Sequence, residues 1–263
     1  MTPNPVVSRT EWLLARKAHL EKEKELTRLR DQLHRQRREL PWVRIDTPYV
    51  FAGPDGPVAL ANLFAGRSQL IVQHFMFGPG WKEGCVGCSF TADHNDAARM
   101  HLEAHDVSLA AVSRAPIGEI EPFKRRMGWR FAWVSSAGNT FNRDFDVSFT
   151  DEEIATGTAY YNYRAGGAQG GTEGSGHSVF VRDAAGTVYH TYSTFARGGE
   201  QFAGAYNFLD ITPRGRNENG PGFNLTDWVR HHDTYGQAGV VDATGRYRAA
   251  ESGCGCEAAE ARA

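Results

Sequence analysis

The sequence is poor in cysteine, in long apolar runs and in net charge, and each scarcity excludes a class of protein. Only four of its 263 residues are cysteine, too few for the dense disulfide framework of a small secreted fold. No apolar run approaches the roughly 18 residues that a membrane-spanning helix needs. The 29 basic and 31 acidic residues leave a net charge of −2, so no global field favours nucleic acid or an anionic membrane as a partner.

The first residues show no basic segment followed by an apolar stretch, so we expect no secretory signal. We therefore expect a cytoplasmic protein, in which thiols stay reduced unless they take part in a redox cycle. The apolar content of 41% and the charged content of 23% are ordinary for a globular protein. A chain of this length can bury a sizeable core.

Residues 1–40 are predicted to contain one long charged helix, since leucines recur there at roughly helical spacing among glutamates, lysines and arginines. Ser8 or Thr10 can cap its start, and Pro41 ends it. Such a helix packs on its own domain or on a second copy of the chain, which makes a homodimer plausible. The basic run at residues 34–38 is a weaker candidate for nucleic-acid binding, because the acidic half of the helix opposes it.

The next region, 41–235, alternates strand and helix patterns. A β-hairpin around residues 49–60 precedes a near-continuous apolar strand over 68–77. A helix over 89–105 and a second buried strand over 107–112 follow. This order predicts right-handed crossovers and a mostly parallel sheet at that point, within an α/β domain.

Three further predictions concern the rest of the chain. Residues 150–175 are rich in glycine and are predicted to form an insertion or a flexible loop, and a hairpin is predicted over 176–193. Residues 236–263 are predicted to form a disordered tail. The tail holds a second cysteine pair, Cys254 and Cys256, which could relay electrons, bind adventitious metal or have no function.

The informative segment lies between the apolar strand and the helix, where Cys85 and Cys88 form a C-x-x-C pair. At a helix N-terminus, free backbone N–H groups and the helix dipole stabilise the thiolate of the first cysteine. The spacing lets the second thiol attack the mixed disulfide that the first one forms. Trp81 can shield this site, and Lys82 can add positive charge to it.

Other residues are candidates for the lining of this site. His74 precedes the cysteine loop on the predicted central strand, although a histidine satisfied within the core is the plainer interpretation. Arg197 follows a strand end, where it could stabilise a thiolate or bind an anionic substrate, or instead form an ordinary salt bridge.

Metal binding is an alternative for the same cysteines. Zinc would need two more ligands, and the following helix carries His94, His101 and His105, the last two at helical spacing of four. No second C-x-x-C accompanies them. Two buried and inert cysteines are a third interpretation of the pair.

Several long stretches resemble the bacterial DUF899 family, from about Val7 to Tyr235. The stretches that carry the resemblance are EWLLARKAHLEKEKELTRLRDQL, LPWVRIDTPYVFAGPDG, SQLIVQHFMFGPGWKEGCVGCSF, VSRAPIGEIEPFKRRMGWRFAWVSS, HTYSTFARG, LDITPRGRNE and HHDTY. The resemblance implies a thioredoxin-like fold, with a central mixed sheet flanked by helices, and a dithiol–disulfide oxidoreductase.

The order of elements also resembles the peroxiredoxin branch of the thioredoxin superfamily, with two departures. Gly176-His177-Ser178 stands where the thioredoxin cis-proline precedes the strand facing the cysteines, which places His177 at the site and puts thioredoxin-like docking in doubt. Peroxiredoxins have Thr or Ser three residues before the reactive cysteine, where this chain has Lys82. This second departure weakens the prediction of a peroxidase.

The sequence therefore predicts a thiol–disulfide oxidoreductase with Cys85 as nucleophile and Cys88 as resolving thiol. No dissociable cofactor is needed, because the cysteines are the redox group. The expected partners are a disulfide-bearing or thiol substrate and an electron donor such as thioredoxin or glutathione. A thiol peroxidase, a metal-binding protein and a scaffold without chemistry remain as alternatives.

Overall fold

A computed structural model of the protein describes residues 4–168, 171–216, 228–235, 239–241 and 247–249. The chain divides into two compact units, Met1–Val43 and Arg44–Ala263. Within the described residues, no helix combines the length and the apolar character needed to cross a membrane.

The first unit contains one long helix, α1 (Arg9–Arg38). Ser8 caps it through a reciprocal capping box: the Glu11 N–H donates to Ser8 Oγ at 3.3 Å, and the Ser8 N–H donates to a Glu11 carboxylate oxygen at 2.9 Å. Basic residues fill the last turn, where they complement the helix dipole. The predicted helix is thus confirmed, and its leucines are exposed within their own unit.

The second unit is built on a mixed sheet of eight strands, numbered here in chain order. The strands are β1 (Val43–Arg44), β2 (Val50–Gly53), β3 (Gly56–Ala59), β4 (Gln69–His74), β5 (Val107–Ser113), β6 (Ala132–Ser135), β9 (Gly176–Arg182) and β10 (Val188–Phe195); β7 (Tyr160–Tyr161) and β8 (Arg164–Ala165) form a separate hairpin. The helices are α2 (Val86–Ala104), α3 (Ile117–Arg126), α4 (Phe141–Asp144), α5 (Asp151–Thr156) and α6 (Gly204–Asp210).

The order of the strands across the sheet is β1-β10-β9-β4-β5-β6-β2-β3. Strands β4, β5 and β6 are parallel and are connected through α2 and α3, which confirms the parallel part predicted from the sequence. The β9–β10 hairpin lies antiparallel against the other side of β4. A β-α-β unit followed by an antiparallel hairpin, in the spatial order β10-β9-β4-β5, is the arrangement of a thioredoxin-like fold.

Alternation along the strands divides the core into two layers, one on each face of the sheet. On one face, Leu70 and Val72 of β4 join an aromatic cluster with Phe64, Phe141 and Phe180. The other face packs against α2 and α3, and its cluster contains Phe75, Phe77, Cys88, Phe123, Trp129 and Trp133. Cys88 therefore lies within an aromatic core.

Phe64 provides a test of the first layer. It ends the 3-10 helix Leu60–Phe64, is fully buried, and carries the Arg182 guanidinium over its ring. We expect Phe64→Ala to lower the free energy of unfolding by about 3–5 kcal/mol, because a large cavity remains in a packed core. Urea titration followed by circular dichroism measures this. Phe208→Ala, at a side chain that is 74% exposed, is the matched control and should change stability little; equal losses in the two variants would contradict this account.

The segment 150–175, predicted to be an insertion or a flexible loop, contains regular structure over much of its length. Thr150 begins α5 with a capping box, and the β7–β8 hairpin follows. Ser148 and Glu173 then form a β-bridge that fixes the end of the segment. Glycine content suggested flexibility, but local capping and pairing give the segment defined structure.

Smaller boundary differences have simple causes. The strand predicted over 68–77 ends at His74, because the chain leaves the sheet while its aromatic side chains stay buried. Helix α2 begins at Val86 instead of 89, with Cys85 as its N-cap. Two three-residue strands, Gly239–Val241 and Tyr247–Ala249, pair within the predicted tail; Cys254 and Cys256 lie outside the described residues.

Candidate active site

The chain between β4 and α2, called here the cysteine loop, comes close to two aromatic rings at Gly84. A Cβ at this position would lie 2.5 Å from the Phe75 ring and 2.9 Å from the Phe123 ring, so only glycine fits without displacement. The next residue, Cys85, donates its N–H to the Met76 carbonyl at 3.0 Å. This contact anchors the N-cap of α2 to the chain that leaves β4.

Cys85 is a half-buried free thiol whose pKa lies well below that of an ordinary cysteine. The Cys88 thiol donates a hydrogen bond to it, and the backbone N–H groups of Cys88 and Gly87 add to this effect, which together lower the pKa of Cys85 to about 6 against the opposing effect of burial. Donors converging on the N-cap of a helix stabilise an anion at that point. Cys85 is therefore largely thiolate at neutral pH.

Cys88 shows the opposite behaviour. It is buried, and the Met76 N–H donates to its Sγ at 3.4 Å. Its hydrogen bond to Cys85, its burial and the negative charge of the Cys85 thiolate all raise the pKa of Cys88 far above the usual range, and the charge of Glu173 raises it further. The pair is thus one thiolate beside one protonated thiol.

Glu173 is a buried carboxylate near this pair, and the sequence interpretation missed it. Its side chain is 1% exposed and pairs through Oε1 with Arg114, whose Nε donates at 2.6 Å. Its Oε2 has no hydrogen-bond partner among the described residues. Burial raises the pKa of Glu173, and Arg114 only partly opposes this. No local motif marks one glutamate in a glycine-rich stretch.

Two predicted lining residues, His74 and His177, line a cavity of about 150 Å³ together with Cys88. The His74 ring stacks on Phe145 and its Nε2 lies 2.7 Å from Ser178 Oγ, as expected of a core histidine. Burial lowers the pKa of each of the two histidines to about 3. Both are therefore neutral at physiological pH.

The remaining predicted lining residues lie further out. Trp81 is 39% exposed, with its indole nitrogen close to Gly78, and Lys82 is exposed on the same loop. Arg197 donates to Glu200 at 2.6 Å, the salt bridge that the sequence offered as an alternative. Glu200 in turn lines the cavity.

The described part of the chain contains no group of three or more His, Cys, Asp and Glu side chains that could hold a metal ion. His94 is one of the suggested zinc ligands, but both of its ring nitrogens are hydrogen-bonded within the protein. Nδ1 donates to the Phe90 carbonyl, and Nε2 accepts from the Ala205 N–H. His101 is exposed on α2. The structure thus offers the metal interpretation no site within these residues.

Residues 228–235 pack on the cysteine loop, a contact that the sequence pattern does not predict. His231 is buried, and its Nε2 lies 3.0 Å from the Gly84 carbonyl. Arg126 pairs with Glu83 of the loop and also with Asp233. These contacts hold the loop that ends at Cys85.

Comparison with known proteins gives a family and several distant structural neighbours. The model of a family described as a bacterial protein of unknown function (DUF899) matches residues 1–235. Among solved structures, peroxidoxin BcpB from Mycobacterium tuberculosis is 14% identical with a TM-score of 0.41, covering 65% of this chain and 96% of that chain. A mutant of PrxQ from Xylella fastidiosa is 12% identical with a TM-score of 0.38, covering 61% and 88%.

A third neighbour is a secreted Mycobacterium tuberculosis disulfide oxidoreductase homologous to Escherichia coli DsbE. It is 13% identical with a TM-score of 0.34, covering 60% of this chain and 92% of that chain. No curated protein sequence matches the chain.

Proposed function

The chain belongs to the bacterial family DUF899, and we propose that it is a thiol–disulfide oxidoreductase in which Cys85 attacks and Cys88 resolves. The observation that carries the proposal is the placement of the pair: Cys85 is the N-cap of α2, where backbone N–H groups converge on its sulfur, and Cys88 lies buried one turn on. The pKa of Cys85 falls to about 6, whereas the pKa of Cys88 rises. Two titratable groups whose environments separate their pKa values are suited to two different roles in one reaction.

The proposed reaction has two steps. The Cys85 thiolate attacks one sulfur of a substrate disulfide, which forms a mixed disulfide and releases the other half as a thiolate. Cys88 then passes its proton to Glu173 and attacks the Cys85 sulfur, which closes the Cys85–Cys88 disulfide and releases the second half. The substrate gains two electrons and the protein dithiol loses them. A cytoplasmic donor such as thioredoxin or glutathione would restore the dithiol, without a dissociable cofactor.

Titration against glutathione redox buffers tests the proposal, with the disulfide mapped by mass spectrometry. We expect a reversible Cys85–Cys88 disulfide with a defined reduction potential. A pair that never forms this disulfide, in protein shown to be folded by circular dichroism, would refute the proposal.

The pH dependence of Cys85 gives a more specific prediction. With a pKa of about 6, Cys85 should be about nine-tenths ionised at pH 7, whereas an ordinary cysteine is only a few per cent ionised. Its rate of alkylation by iodoacetamide should therefore be flat above pH 7 and fall tenfold per unit well below pH 6. Peptide mapping by mass spectrometry assigns the rate to Cys85. Protein unfolded in urea is the control, and a folded protein that shows the same midpoint near pH 8.5 would contradict the prediction.

A thiol peroxidase is the second candidate, and the low pKa of Cys85 favours it too, because a thiolate also attacks the oxygen of a peroxide. Cys85 would become a sulfenic acid, which Cys88 would resolve to the same disulfide with release of water. Consumption of hydrogen peroxide with dithiothreitol as reductant separates the candidates. If peroxide oxidises Cys85 much faster than small disulfides do, the peroxidase replaces the oxidoreductase as the proposed function.

A further inference from the structure

The cavity next to Cys88 is a small, mostly apolar chamber. Its volume of about 150 Å³ resembles that of engineered cavities that hold benzene, so it has room for a ligand of roughly six non-hydrogen atoms. Phe90, Ala203 and Tyr206 supply apolar wall. Gly87 and Cys88, whose backbone N–H groups donate to the Cys85 thiolate, lie in the same wall.

A chain of three buried side chains fixes the hydrogen positions at one side of this cavity. The Gln73 amide nitrogen donates to the Cys88 carbonyl at 2.9 Å, so the Gln73 amide oxygen must face the other way. That oxygen accepts a hydrogen bond from the Asn95 amide nitrogen at 2.9 Å. The Asn95 amide nitrogen also lies 3.4 Å from Nε2 of His177, to which it can donate its second hydrogen.

This chain determines the tautomer of His177. Nε2 accepts from an amide that can only donate, and burial keeps the ring neutral by lowering its pKa to about 3. The single ring proton must therefore be on Nδ1. Nδ1 has no hydrogen-bond partner within the described residues, although His177 is only 5% exposed. A buried donor without an acceptor is costly unless a ligand supplies one.

The cavity also disfavours a net charge on its ligand. His74 and His177 in the wall are neutral. Among the described residues of the wall, Glu200 is the one carboxylate, and it is paired with both Arg197 and Arg216. A cation or an anion that entered would lose its hydration without gaining an unpaired counter-charge, which is expensive in an apolar site.

We propose that this cavity binds one half of a small uncharged disulfide, and that the Nδ1–H of His177 donates a hydrogen bond to an oxygen of that half. The inference rests on the proposed function, since the same disulfide reacts at Cys85. The half in the cavity is the one that Cys85 retains in the mixed disulfide. Cys88 releases it as a thiolate when it closes the protein disulfide. A 2-hydroxyethylthio group, with four non-hydrogen atoms, satisfies both size and chemistry.

The test compares three disulfides of similar length: bis(2-hydroxyethyl) disulfide, cationic cystamine and anionic dithiodiglycolate. The rate of mixed-disulfide formation at Cys85 is measured by quenching and mass spectrometry, and each rate is normalised to the rate of the same reagent with dithiothreitol. We expect the neutral reagent to react at least about tenfold faster than either charged reagent, because a charge is costly to desolvate.

Substitution of His177 then tests the donor. His177→Phe keeps a ring against Phe202, whose centroid is 4.1 Å away, but removes the proton. It should slow the neutral reagent about five- to tenfold and leave the charged reagents unchanged. His177→Asn places an amide donor near the Nδ1 position and should restore the rate. His101→Phe, the same substitution at an exposed histidine of α2, is the matched control.

The outcomes separate the inference from the proposed function. If no reagent forms a mixed disulfide with Cys85, the proposed function fails. If all three react with similar normalised rates, or His177→Phe slows all of them equally, the cavity inference fails alone.

A binding measurement on the wild-type protein covers the case of a variant that does not fold. The unreactive thioether 2-(methylthio)ethanol should shift the nitrogen-15 signal of His177 Nδ1 and leave that of Nε2 nearly unchanged. An unshifted Nδ1 signal at saturating thioether, or a proton found on Nε2, would overturn the inference.

Discussion

Cys85→Ser is expected to remove disulfide-exchange activity by about a thousandfold or more, since the thiolate is the attacking atom and a serine hydroxyl does not ionise near neutral pH. Cys88→Ser should behave differently. A hydroxyl at position 88 can still donate to the Cys85 sulfur, the interaction that contributes most to its low pKa. The first step should therefore proceed and then stop at a mixed disulfide on Cys85, detected as a mass increase of one substrate half.

The contrast between the two variants is the informative result. The double variant C85S/C88S is the control for reaction at Cys254 and Cys256. A Cys88→Ser protein that forms no mixed disulfide, next to a Cys85→Ser protein that traps substrate on Cys88, would show that the two roles are reversed. Single turnover followed by acid quench distinguishes these cases.

Glu173→Gln is expected to slow the second step about a hundredfold, within the usual range for loss of a general base. Cys88 must lose its proton before it can attack, and Glu173 is the carboxylate whose charge acts on it. Removal of that charge also lowers the pKa of Cys88. This opposing effect is the smallest of the contributions to that pKa, so loss of the proton acceptor dominates.

The lifetime of the mixed disulfide in otherwise wild-type protein measures this effect. It should lengthen in Glu173→Gln, while the rate of the first step changes little. In the wild-type protein the second step should slow as pH falls through the raised pKa of Glu173, because only the ionised carboxylate accepts a proton. In Glu173→Gln the rate of the second step should not show this fall at low pH.

Glu103→Gln is the matched control, because Glu103 also pairs with an arginine, Arg99, but lies at the far end of α2 from the cysteines and is partly exposed. Circular dichroism at the assay temperature checks that each variant is folded. A mixed disulfide that decays equally fast in Glu173→Gln and wild type would refute the role of Glu173 as proton acceptor.

The sequence by itself determined the features that contiguous residues encode. Ser8 and Glu11 specify the start of the long helix, and alternation around a short turn specifies the β9–β10 hairpin. Strand, loop and helix follow one another around Cys85 and Cys88, so their place at a helix N-terminus could be predicted. The order of the apolar strand and helix patterns likewise predicted the parallel part of the sheet.

Only the tertiary structure decided which distant groups share the site. The bridge to Ser148 and the ion pair with Arg114 fix Glu173 where its charge acts on Cys88. His177 faces the cavity because β9 pairs with β4 in a register that sets it opposite Gln73. Such neighbours depend on sheet register, which no local pattern in the segment around either residue reveals. The shifts in thiol pKa depend on them too, since burial and hydrogen bonds exist only after the chain has folded around the pair.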